Sequence, residues 1–70
     1  MSKLPEWFDG ELYEKGDTVT NRFSGEEYKL SSEELSMYDF IMGAQMVKDM
    51  RKGLEWFKEN NSEAYMVLLD

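Results

Sequence analysis

The feature that most constrains this chain is a nearly continuous apolar stretch at its centre, LSMYDFIMGAQMV, at residues 35–47. Only Ser36, Asp39, Gly43 and Gln45 interrupt it. The whole chain has 70 residues, and a domain of this size buries only about 60% of the surface that its unfolded form exposes. The apolar stretch must therefore be covered by a few short segments of the same chain, or by a second copy.

The residues before this stretch predict the start of a helix. Ser31 is followed three residues later by Glu34, which is the spacing of a capping box, and Leu30 and Leu35 flank the pair as a hydrophobic staple. Glu33 and Glu34 also favour the positive end of the helix dipole. We therefore expect a helix to begin directly after Ser31.

Downstream, apolar residues recur at intervals of three and four, as one face of an amphipathic helix requires: Phe40, Ala44, Val47, Met50, Leu54 and Phe57. A single helix over residues 32–59 would be about 42 Å long at 1.5 Å per residue. This is too long for a compact monomer, whose radius of gyration should be roughly 11 Å. The helix is therefore either long and packed against a second copy of the chain, or kinked, with residues 50–53 as the candidate break.

The flanking segments complete an α+β fold in one small domain, residues 1–70. Residues 1–16 form an acidic arm with a small aromatic group, and residues 17–30 alternate as in a β-hairpin, with strands near 18–22 and 26–30. Residues 31–60 are helical. In residues 61–70, Asn61 or Ser62 can cap a short C-terminal helix, which is favoured over a third strand.

The residue inventory argues against catalysis. The chain has no cysteine and no histidine, which excludes disulfides, thiolate and imidazole metal ligands, and nucleophile–histidine arrangements. Its glycines are isolated and form no phosphate-binding loop. Asp39, the one acid inside the apolar stretch, fits a polar strip on the helix better than an acid–base pair. We expect no catalytic, cofactor-binding or metal-ligating residues, and a non-enzymatic role.

The charge and the hydropathy of the chain limit the classes of partner that it is expected to bind. A net charge of −7 opposes binding to nucleic acid and to anionic lipid. No apolar run approaches the roughly 20 residues that span a bilayer, and the N-terminus has no signal-peptide pattern. An intracellular protein with a protein partner is the expectation.

Because disulfides and cysteine or histidine metal sites are excluded, oligomerisation is the remaining way to stabilise so small a chain. We predict a homo-oligomer, with a dimer as the simplest form, that associates through the stripe Phe40, Ala44, Val47, Met50, Leu54 and Phe57. Five methionines at helical spacing suit either a core or an adaptable binding groove: Met37, Met42, Met46, Met50 and Met66. The alternative is an acidic mimic or inhibitor that binds a basic host protein through carboxylates of residues 6–34.

Four segments together carry a family resemblance: YEKGDTVTNRFSGEEYKL, ELSMYDFIMGAQM, KGLEWF and NSEAYMVLLD. Across residues 13–70 the chain resembles short hypothetical proteins of tailed phages of marine bacteria, including cyanophages. That family has no assigned activity, so the resemblance implies no site residues. It implies expression in the cytoplasm of an infected bacterium, as an accessory or host-directed protein or as a minor virion component. Relatives often carry proline where this chain has Ser62, which supports a helix beginning there.

Overall fold

The computed structural model describes residues 4–69 and has an α+β architecture. An antiparallel hairpin of β1 (Asp17–Thr20) and β2 (Glu27–Leu30) is followed by α1 (Ser32–Gly43), α2 (Val47–Asn60) and α3 (Ser62–Leu68). The predicted order of hairpin, amphipathic helix and short C-terminal helix is confirmed. The first three residues of the predicted arm and residue 70 lie outside the described residues.

The hairpin strands are shorter than predicted because Asn21 begins the turn. Its Oδ1 accepts hydrogen bonds from the backbone N–H groups of Phe23 (2.9 Å) and Ser24 (3.4 Å). Gly25, with φ of 80°, donates its N–H to the Asn21 carbonyl at 2.7 Å. Positive φ suits glycine. Residues 21–26 therefore form the connection rather than the strand ends.

The predicted capping box at the start of α1 is present, and it extends further than the sequence indicates. The Ser31 hydroxyl accepts from the Glu34 N–H at 3.3 Å, and Glu34 Oε1 accepts from the Ser31 N–H at 2.9 Å. The other oxygen, Oε2, accepts from Asn61 Nδ2 at 2.8 Å, while Asn61 Oδ1 accepts from the Ala64 N–H at 3.1 Å. One buried carboxylate thus joins the starts of α1 and α3.

The helical region breaks at residues 44–46, which corrects the alternative of a break at residues 50–53. Gly53 lies inside α2 and is buried. A Cβ placed there would lie 2.5 Å from Cγ1 of Ile41 on α1, so this glycine permits close helix packing instead of ending a helix. The resulting helical hairpin gives a radius of gyration of 11.1 Å, close to the value expected for a compact chain.

The core lies where the hairpin and the three helices meet, and these residues form it: Leu30, Met37, Ile41, Trp56, Phe57, Ala64 and Leu68. The arm packs against α1 beside this core. The Phe8 and Trp7 rings lie 5.4 Å and 5.9 Å from the Phe40 ring. The Tyr13 N–H donates to the buried hydroxyl of Ser36 at 2.9 Å. The arm is therefore attached at two points.

Candidate interaction surface

The six residues predicted to form a self-association stripe do not form one surface in the folded chain. Phe57 is 0% exposed and belongs to the core, whereas Val47, ten residues earlier on α2, is 62% exposed. Met50 is 37% exposed and Leu54 is half-buried. Exposure therefore rises toward the N-terminus of α2, which leaves only that end of the stripe available to a partner.

The α1 part of the stripe is largely covered by the chain itself. Phe40 is half-buried beneath the aromatic rings of the arm. Ala44 is half-buried at the end of α1, with φ of −68° and ψ of 128°. Phe40 therefore offers only part of its ring to a second molecule, and Ala44 offers only a methyl group.

Four large exposed apolar side chains instead lie close to one another in sequence, around the connection between α1 and α2. We call these the joint residues: Met42, Met46, Val47 and Met50. Met42 is 54% exposed in the last turn of α1, and Met46 is 62% exposed at the start of α2. Met42 and Met46 stand outside the predicted stripe, although both were among the methionines noted as adaptable. Helical spacing could not find them, because the helix turns back between them.

A groove of about 410 Å³ runs beside the joint. Phe40, Ala44 and Met46 contribute its apolar wall, and four carboxylates also line it: Asp9, Glu11, Asp39 and Asp49. Partial burial raises the pKa of the nearby Tyr13 hydroxyl, and the negative charges of Asp39 and Glu11 raise it further. The potential in this groove is therefore negative.

A second groove, of about 320 Å³, lies at the tip of the hairpin. Tyr38, Met42 and Leu68 line it together with Phe23, which is 91% exposed. Asn21 Nδ2 donates to the Val67 carbonyl at 2.9 Å and ties this tip to α3. The sequence places Phe23 beside a turn glycine, which gives no indication of whether its ring turns inward or outward.

The described residues give no sign of a metal centre or a membrane span. Within residues 4–69, no three histidine, cysteine, aspartate or glutamate side chains are grouped so as to hold a metal ion. In the same part of the chain, no helix has both the length and the apolar character needed to cross a membrane.

Comparison of the chain with protein-family models, with curated proteins and with solved structures gives no match.

Proposed function

We propose that this chain is a non-enzymatic protein-interaction module that binds a second copy of itself to form a dimer. The observation that supports this is the exposure of the joint residues at one end of a helical hairpin whose other end is closed. Met37 and Phe57, on the same two helices, are fully buried. Four of the nine large apolar side chains that are exposed among the described residues lie at the joint, within residues 42–50.

Two general properties favour the joint as a binding surface. Methionine side chains are flexible and polarisable, so they adapt to an apolar partner. Monomeric proteins rarely expose large contiguous apolar patches. A standard interface uses about 800 Å² per partner, which is about 15% of the 5196 Å² surface of this chain.

Size-exclusion chromatography with light scattering, over a range of micromolar concentrations, tests the proposal. We expect a dimer of the 8.3 kDa chain that dissociates on dilution. Val47→Glu should abolish it, because a charge would then be buried at the interface. A glutamate at the first position of α2 also suits the helix dipole, so loss of the dimer would not reflect loss of the fold.

Met66→Glu is the matched control, because it places the same charge on an apolar residue of α3 that is 63% exposed and lines neither groove. It should leave the dimer intact. A wild-type chain that stays monomeric at every concentration would refute self-association. Equal loss in both variants would show that added charge, and not the joint, controls association.

The acidic groove favours a second candidate function, which is binding of a basic segment of a host protein. Its apolar wall and four carboxylates would complement a peptide with lysine or arginine around an apolar anchor. Such binding should weaken steeply with salt. Capture from a host lysate tests it, and partners retained unchanged at high salt would argue against it.

The setting proposed for either function is the cytoplasm of an infected bacterium, in line with the resemblance to phage proteins. A minor virion component is the remaining alternative. Mass spectrometry of purified particles distinguishes the two, since a virion component should be present in them at a fixed copy number.

A further inference from the structure

The apolar spacing continues across residues that are not helical. Phe40, Ala44 and Val47 follow one another at intervals of four and three, and the same rhythm runs on to Phe57. Residues 44–46 nevertheless separate α1 from α2. The apolar spacing of a helix thus passes unbroken through a turn, which suggests that residues 44–46 are helical in a second conformation of the chain.

The local chemistry of the turn supports this second conformation. Ala44 and Met46 have extended backbones, with ψ of 128° and 133°, yet alanine, glutamine and methionine are all good helix formers. Among the described residues, no side chain caps the N-terminus of α2 at Met46. If residues 44–46 became helical, the orphan groups at the end of α1 and the start of α2 would bond to each other.

Contacts between α1 and α2 keep the turn closed within one chain. Ile41 packs over Gly53, and Glu34 bonds to Asn61. These contacts do not require both partners to belong to the same molecule. If α2 and α3 of one copy packed on the hairpin and α1 of another, every such contact would form again between chains, as in a domain-swapped dimer.

We propose that two copies of this chain exchange α2 and α3, with residues 32–60 forming one continuous helix about 43 Å long at 1.5 Å per residue. The inference rests on the proposed self-association and names its mechanism. The two long helices would meet near Ala44, with the exposed joint residues at the crossing. The stripe predicted from the sequence would then be continuous.

Substitutions at Gln45, which is exposed, test the proposal. Gln45→Pro should reduce the dimerisation constant by roughly 10⁴-fold, since proline inside a helix is strongly unfavourable in each of the two chains. It suits the closed turn, because Ala44 already has the extended ψ required before proline. Gln45→Gly should weaken the dimer by roughly 5- to 15-fold, because glycine has a lower helix propensity than glutamine in both chains.

Spin labels give an independent readout, and the absence of native cysteines allows clean double labelling of Glu33→Cys/Glu59→Cys. Mixed with a large excess of unlabelled chain, the dimer should show an intrachain distance near 39 Å, from 26 residues at about 1.5 Å each. The closed chain should give a much shorter distance, because Glu34 Oε2 and Asn61 Nδ2, which lie one and two residues from the labelled positions, are 2.8 Å apart.

The outcomes separate this inference from the proposed function. A dimer that weakens in the order wild type, Gln45→Gly, Gln45→Pro, with the long intrachain distance, supports exchange. A dimer that keeps the short distance and is unaffected by Gln45→Pro overturns exchange and leaves surface self-association standing. A wild-type chain that stays monomeric at every concentration overturns both.

Discussion

Replacing Asn61 tests the hydrogen-bond network that joins the starts of α1 and α3. Its Oδ1 caps α3 at the Ala64 N–H and also accepts from the Tyr28 hydroxyl at 3.4 Å, while its Nδ2 donates to the Glu34 carboxylate. Asn61→Ser retains a capping hydroxyl but cannot reach Glu34. Asn61→Ala removes the cap and the contact with Glu34. The two variants therefore separate the cap from the contact between helices.

The structure sets the size of each effect. Glu34 is 8% exposed, so little water can replace the lost donor. A hydrogen bond to a charged group contributes about 1.5–3 kcal/mol, which is the expected cost of Asn61→Ser. Asn61→Ala should cost about 1 kcal/mol more, through loss of the cap. For a 70-residue chain with a total stability of about 4–10 kcal/mol, these are large losses.

Urea denaturation followed by tryptophan fluorescence measures the effect, because Trp56 is buried in the core. Submicromolar protein limits any contribution from dimerisation. In a Glu34→Ala background, Asn61→Ser should change the free energy of unfolding by less than roughly 0.5 kcal/mol, as expected when the partner is already absent. An unchanged cost in that background would refute the proposed link.

Two further predictions follow from single contacts. Gly53→Ala should destabilise the fold by about 1–3 kcal/mol through overpacking against Ile41. Gly43→Ala is the control and should not destabilise the fold, because the added Cβ would lie in open space. Equal urea midpoints for the two variants would contradict this prediction. The Tyr28 hydroxyl donates a hydrogen bond to Glu63, and this bond is the main cause that raises the pKa of Tyr28 above its ordinary value of 10.0. The stabilisation that the bond gives to the fold is therefore complete below pH 10.0 and is lost as the pH rises further. Urea midpoints from about pH 9 to about pH 11 should fall more for wild type than for Tyr28→Phe, and parallel curves would exclude the effect.

Local signals made the starts of α1 and α3 predictable. A capping box or an N-cap residue acts within one turn, so Ser31 and Glu34 could be identified from their spacing, and the cap of α3 could be assigned to either Asn61 or Ser62. The bond between Glu34 and Asn61 could not, because it joins residues 27 apart in sequence. Only the packing of α3 against the rest of the chain brings them together.

The helix break shows the opposite case. Gly53 has the lowest helix propensity of the region and suggests a break, yet it lies inside α2 and makes room for Ile41. Ala44 and Met46 favour a helix but have extended backbones. Tertiary packing of α1 on α2 outweighs these local preferences.

The same packing explains why only part of the interaction surface was predicted. Spacing identified an apolar stripe but not which end the chain would cover. Phe57 shares the core with Ala64 and Leu68 of α3, so the C-terminal end of the stripe is closed. The N-terminal end, at Val47 and Met50, stays open.

The bond from Asn21 to the Val67 carbonyl has a consequence for the order of folding. It joins residues 46 apart in sequence, and β2 also packs against α3. A two-stranded hairpin alone is marginally stable in water, so β1 and β2 gain support from a helix that is synthesised after them. The hairpin should therefore become persistent only after residues 62–68 have been synthesised, and residues 17–68 should fold as one cooperative unit.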